Sequence, residues 1–440
     1  MAVAVKTPGG SAYLDRYAGA RARLEQGMQP WLAGWRRAGA EAFRAAGFPT
    51  IKNEAWRYTP LHALIEGDFS VDAPPAPFDR ARLKGVTFGR EAENRLVFVN
   101  GRLRHDLSSL RHLSPGIEFL SFAEALESRP ELLESFLGKA PGLASHPFAA
   151  LNAAFAADGF VLHLAPETRS EAPIEILWIG SGADKPPVYH PRNLIVAGRG
   201  AHATVIEHHV GLCIGSYFSD SVTEIALGEG ALLRHCKVQD ESREAFHIAA
   251  TGAHLAEGAH YDSFVFSIGG RLSRNEIHVA LAGKRALCRL NGAYLARGEQ
   301  IIDHTTVIDH VSPETSSREL YKGVLDGRAR GVFQGRITVR PNAQKTDGQQ
   351  MNRALLLSDK AEINSKPELE ISADDVKCSH GATAGELDDA ALFYLRSRGI
   401  PEAEARRLLV EAFLGEVIDA VALAGMRMTL EHNITRWMAA

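Results

Sequence analysis

Cys378 and His380, two positions apart in the stretch ADDVKCSHGATAG (373–385), are the residues of this chain whose types and spacing best support chemistry. On an extended strand, residues i and i+2 project to the same face, which would set the thiol beside the imidazole. The imidazole would take or stabilise the thiol proton, and thiolate with imidazole suits iron, zinc or copper. Two ligands fall short of the four that an iron–sulfur cluster or a closed zinc site uses. The pair is therefore incomplete unless another segment or subunit adds donors, and on residue types alone packing on a buried strand ranks ahead of ligation.

Other chemistry is sparse. The four cysteines, Cys213, Cys236, Cys288 and Cys378, form no Cys-x-x-Cys pair, which excludes a disulfide framework and a self-contained zinc site and fits a reducing compartment. Eighteen histidines crowd the middle of the chain, but His208 and His209 point to opposite faces of a strand and the rest lack ligand spacing, so they read as hydrogen-bonded strand residues. The acids Asp303 and Asp309, or Asp374 and Asp375, would be the general acid/base pair of a carbohydrate-active enzyme, although capping of turns is their commoner use. No phosphate loop, Gly-x-Ser-x-Gly elbow or His-Glu-x-x-His helix occurs, so any ATP must act through a partner.

The elements that must position these residues fall into three regions. From Ser11 to about Phe48 the sequence is helical, stopped by Gly47 and Pro49; 70–89, with Pro74, Pro75 and Pro77, reads as a connection; and 90–150 mixes strand and helix signals. From about Gly159 to Thr383, short β-branched runs are punctuated by Gly200, Gly230, Gly258 and Gly283, at intervals of 30, 28 and 25 residues, the first three each followed by Ala. Such a period without helices predicts a stacked β-solenoid, with a jelly roll as competitor. After Gly385 helix returns: Asp388 caps the first, Gly399 ends it, and a second follows Pro401 with Leu408, Leu409, Phe413 and Val417 on one face. A cap over the open end of the solenoid ranks above a docking hairpin on these grounds. The expected domains are 1–150, 151–385 and 386–440.

Composition sets the class. The chain has 440 residues, is 45% apolar and carries a formal net charge of −4 with signs mixed, which supports a sizeable core and argues against a nucleic-acid partner. The first ten residues hold no signal-peptide core, and no run approaches the length of a membrane span, so a soluble cytoplasmic protein is expected.

Three stretches carry a resemblance. KNEAWRYTPL (52–61), LNAAFAADGFVLHL (151–164) and, most specifically, LLLSDKAEINSKPELEISADDVKCSHGATAGELDDAALFYLRSRGI (355–400) resemble the Suf-system iron–sulfur cluster assembly proteins, the SufB/SufD family. The resemblance implies a right-handed parallel β-helix flanked by N-terminal α/β (helical) and C-terminal helical regions. The SufB branch has Cys-Glu-His-Glu where this chain has Ser379 and Gly381 around His380, and Cys-Gly-Ala-His where it reads Ala361, Glu362, Ile363 and Asn364; the chain follows the SufD branch. What the family implies is a non-catalytic scaffold in a complex with SufB and two copies of the ATPase SufC. Cys378 and His380 would then hold iron or a transient cluster at the SufB interface. The C-terminal helices, through Leu392, Phe393, Tyr394, Arg398, Leu408, Leu409 and Phe413, would grip SufC, which reverses the order of cap and docking hairpin. Reduced flavin is associated with such complexes, but no fingerprint for it is present. Two other readings stand beside this one: a β-solenoid polysaccharide-active enzyme, and a module that pairs with a second copy of itself.

Overall fold

Each long strand of the middle region alternates small or apolar residues with polar ones, and the strands stack in parallel. In Ser316–Leu325 the buried positions Ser317, Glu319, Tyr321 and Leu325 face inward. The computed structural model describes residues 10–25, 28–71, 78–86, 94–182, 185–213 and 215–439. Residues 72–77 and 87–89 of the proline-rich connection, and the first nine residues, lie outside them. Successive strands alternate between two sheets, so that each pairs in parallel with the strand two places on: Leu232 lies opposite His260, His260 opposite Leu287, and Leu287 opposite Ser316. This is a parallel β-solenoid with an eleven-stranded and a ten-stranded wall among the described residues. Between the walls lies one long core that includes Ile277, Val279, Leu281, Ile308, Ile337 and Val339.

The turn glycines explain the period. Gly200, Gly230 and Gly258 hold φ of 64°, 64° and 65°, and each donates its N–H to a carbonyl of the next coil, Glu229, Glu257 and Lys284, at 2.8 Å. The alanines that follow, Ala201, Ala231 and Ala259, are fully buried in a stack at the corner. Gly283 breaks the expected pattern. The left-handed residue of its turn is Arg285 (φ 59°), whereas Gly283 is small because a Cβ there would sit 2.0 Å from the Glu257 nitrogen. The repeat then resumes with Gly298 and Gly327, at φ 63° and 66°.

The N-terminal helices Gly10–Arg16, Ala18–Glu25 and Pro30–Ala46 end at Gly47 (φ 65°) and, with Pro147–Phe155, form an aromatic layer on the outside of the ten-stranded wall, where Phe43, Phe148 and Phe155 meet Phe218 and Phe246. The KNEAWRYTPL segment is a strut across this wall. Trp56 lies 4.0 Å over the buried Arg274 guanidinium, Thr59 hydrogen-bonds Asp303, and Glu54 pairs with Lys366 at 2.6 Å. Strand Asn94–Val99, inside the region assigned to the first domain, already extends the eleven-stranded wall beside Ile174–Gly180.

The C-terminal helices Asp389–Ser397, Glu402–Ile418 and Ala424–Ala439 do not cap the solenoid end. The two longer ones lie along the outer flank of the eleven-stranded wall, joining Val410, Leu414, Val417, Ile418, Leu430 and Ile434 to Val238, Phe266, Leu295 and Val324. The buried face of the long helix is thus Val410, Leu414, Val417 and Ile418, with Phe413 packed half-buried beside it, and of the expected set of Leu408, Leu409, Phe413 and Val417 only Val417 is fully buried.

Candidate functional site

The last strands of the two walls, Glu362–Ile371 and Lys377–Gly385, have a neighbour on one side only. Every residue of both is exposed or half-exposed. Pro367 removes one N–H from the edge of Glu362–Ile371, a common way to blunt a free edge. Lys377–Gly385 contains no proline, and its backbone edge is open.

Cys378 and His380 stand on this open strand. Cys378 is half-buried against the core and opposite Gly348, in a column that continues through Ser317 to Cys288. His380 stacks on Gln350, which stacks on Glu319, but is itself exposed at the open end. Burial pushes the Cys378 thiol up, with the Gly348 backbone opposing, so the protonated form is favoured. A cation arriving from outside would have to displace that proton. Below His380, burial pushes the Glu319 carboxyl up to about 7 against the Gln350 amide, which donates to it at 2.8 Å. The structure thus brings a thiol, an imidazole and a titrating carboxyl to one inner face near the open end. By themselves they supply too few donors for a cluster.

The residues expected to dock a partner divide into two groups. Asp388 caps Asp389–Ser397 as expected, accepting from the Ala390 and Ala391 nitrogens at 2.8 and 3.1 Å. On this helix Phe393 and Tyr394 are 74% and 57% exposed, and Arg398 stacks on Tyr394 with its guanidinium carbon 5.2 Å from the ring centre. Leu392 is buried. Phe413 is turned toward the solenoid, where its ring lies under the Lys322 ammonium at 4.7 Å and its carbonyl accepts from Lys322 at 2.6 Å. Leu408 and Leu409 are half-buried. The outward apolar patch is therefore Phe393 and Tyr394, and Leu392 and Phe413 contribute packing instead.

The acid pairs of a polysaccharide-cleaving enzyme are not assembled. Asp303 is buried between Arg274 and Thr59, Asp309 forms a two-pronged pair with Arg340 at 2.9 Å, and the Asp375 carbonyl accepts from the Lys345 nitrogen of the preceding coil at 2.6 Å. Cys236 and Cys288 are buried thiols pushed far up by burial, that of Cys236 to about 12, as expected of small core residues.

Many histidines are hydrogen-bonded strand residues, as expected: His235 meets Glu207 at 2.8 Å and Tyr261 at 3.1 Å, and His310 meets Thr315 and Ser317 at 2.7 and 2.9 Å. His209 and His247 break that rule. Both are buried inside the first coils beside Glu241, each with one ring nitrogen against a carboxylate and the other without a partner, and an unsatisfied buried polar group costs about 1–3 kcal/mol. Burial pushes the Glu241 carboxyl up, but His247 and His209 together with the Gln239 amide outweigh it and hold it at about 2. Spacing in the sequence gave no sign of this group, because stacking of one coil on the next brings it together. The signal that was available was the density of histidine and glutamate at inward positions.

No helix among the described residues is long and apolar enough to cross a membrane. Residues 179–413 match the family model of the SUF system FeS cluster assembly SufBD core domain, and residues 9–176 that of the SufBD protein N-terminal region. An iron–sulfur cluster assembly SufBD family protein of Synechocystis sp. is 32% identical over 413 residues, covering 92% of this chain and 90% of its own. The iron–sulfur cluster assembly protein SufD of Escherichia coli is 34% identical over 395 residues, covering 88% and 89%, and that of Bacillus subtilis 27% over 326, covering 73% and 74%. The core-domain match alone spans more than half of a chain whose solenoid carries its thiol and imidazole on an open edge, and this chain belongs to the SufBD family of iron–sulfur cluster assembly proteins.

Proposed function

We propose that the chain is a scaffold subunit, not a catalyst, in a complex with SufB and SufC, and that strand Lys377–Gly385 is the seam at which it meets the β-helix of SufB. One observation carries the reading: Cys378 and His380 sit on an edge strand whose backbone donors and acceptors are unpaired and unblunted. Addition of a partner strand satisfies those groups and delivers the donors that the pair lacks, so that a transient cluster is held between two chains. The exposed Phe393 and Tyr394, with Arg398 beside them, support a second docking surface for SufC on the first C-terminal helix.

Reconstitution with SufB and SufC tests the seam. His380→Ala lowers iron–sulfur loading of the complex at least tenfold while the subunits still co-purify; loading equal to wild type removes the site. Deleting the C-terminal helices is a poor test of SufC docking, because their removal bares the solenoid flank. Phe393→Ser with Tyr394→Ser leaves that packing intact, and retained SufC binding by this variant refutes the docking surface. The same open edge would accept a second copy of this chain, and the mass of the isolated protein, measured with and without SufB, separates pairing with self from pairing with SufB.

A further inference from the structure

Deep in the first coils, six strands along the wall from Cys378, His209, Glu241 and His247 present two imidazoles and a carboxylate whose ligand atoms all lie within 4.8 Å of one another. At about 4.8 Å per strand that is roughly 29 Å from the open edge. His209 comes from one coil, while Glu241 and His247 flank the turn of the next, closed by the Ala245 nitrogen on the Ser242 carbonyl at 2.9 Å. The three side chains are at most 2% exposed. His209 Nε2 pairs with Glu207 Oε2 at 3.4 Å and His247 Nδ1 with Glu241 Oε2 at 2.8 Å, which leaves His209 Nδ1 and His247 Nε2 buried without a hydrogen-bond partner.

The surroundings are those of a ligand set. Gln239 Nε2 donates to Glu241 at 3.0 Å and is itself fixed by the Gly269 nitrogen on Gln239 Oε1 at 3.1 Å. Glu207 stands behind His209 and accepts from Trp178 Nε1 at 3.2 Å, while the Trp178 ring stacks on His209 at 5.9 Å. Carboxylates and amides placed behind ligating side chains in this way orient them and raise their basicity. The buried Lys237, 3.4 Å from Asn275 Oδ1, lies in the field of both carboxylates, Glu207 and Glu241. A cavity of about 290 Å³ between the wall and the last helix is bordered by Asp240, Glu241, His208 and His432, so that Glu241 lies between the cavity and the two imidazoles.

We propose that His209, Glu241 and His247 form a mononuclear site for a divalent transition ion of the zinc or ferrous class. Two imidazoles and one carboxylate are a set that both ions accept. The site is independent of the Cys378–His380 seam.

The full-length chain without a histidine tag, purified alone and stripped by chelator, is dialysed against micromolar Zn2+ or, anaerobically, Fe2+, with Co2+ as a spectroscopic probe. One ion per chain is expected, with visible Co2+ bands free of thiolate charge transfer. Glu241→Gln and His247→Gln, each checked for the wild-type circular dichroism spectrum, weaken binding at least tenfold, whereas Cys378→Ser with His380→Ala leaves it unchanged. Retention of only one of the two ions assigns the site to that ion. The proposal is overturned if the wild-type chain keeps neither ion, if the folded Glu241→Gln and His247→Gln variants bind as tightly as wild type, or if the Cys378/His380 variant loses the ion. Where His247→Gln does not fold, Glu241→Gln carries the test.

Discussion

The two ends of the solenoid are built on opposite principles. At the N-terminal end both walls finish in antiparallel pairs: Arg102–Leu103 folds back on Asn94–Val99, and Ile117–Ser121 runs against Phe160–Leu164. Reversed short strands and the stacked Phe98 and Trp178 rings, 4.2 Å apart, seal that end. At the other end Glu362–Ile371 and Lys377–Gly385 stop with their outer edges bare. A free edge is a template for another chain, and natural sheets usually remove it. A protein that closes one end and leaves the other open, with a thiol and an imidazole on the open strand, has separated the end that holds its fold together from the end proposed above to meet a partner.

The sharpest break in this comparison is a cavity at the closed end. Phe98→Ala costs about 3–5 kcal/mol in urea unfolding, the usual loss for a buried aromatic; a cost under about 1 kcal/mol would mean that the end is not sealed by packing. A smaller effect lies near the open end and depends on pH. The Glu319 carboxyl is raised to about 7 in the folded chain, so between the unfolded value near 4.3 and about 7 the folded state holds more protons. Its contribution is complete below about pH 4, falls as pH rises to about 7 and stays lost above that. At ~1.4 kcal/mol per unit the penalty approaches roughly 4 kcal/mol at pH 8. Glu319→Gln removes this slope and is the more stable protein at pH 8; an unchanged pH profile contradicts the assignment. The smallest effect is at the open edge itself. Ile371, 44% exposed, changes stability by no more than about 0.5 kcal/mol when replaced by Ala in the isolated chain, and a loss above about 1 kcal/mol would show that the end is covered after all.

Particular residues show where the sequence was legible. Gly200, Gly230 and Gly258 mark turns because a left-handed φ selects glycine locally, and Asp388 marks a helix start because its carboxylate caps nearby nitrogens. Gly283 carries the same letter for another reason, the approach of a neighbouring coil, which no local pattern reveals. The long C-terminal helix is apolar on several faces, so its sequence allowed Leu408, Leu409 and Phe413 as the buried side, and contact with the wall chose Val410, Leu414 and Ile418. Of the candidate site, the shared face of Cys378 and His380 followed from strand geometry. Their place on an unpaired edge did not, since a strand reads the same whether it has one neighbour or two.

By itself the sequence determined the solenoid, its flanking helices and the incompleteness of the Cys378–His380 pair, because turn chemistry, strand alternation and donor number are properties of nearby residues. Only the tertiary structure decided which strand is left open, which helix face is buried and which histidines meet a carboxylate across coils. Those outcomes depend on how one coil stacks on the next, and stacking joins residues such as His209 and Glu241 whose separation along the chain carries no trace of their proximity in space.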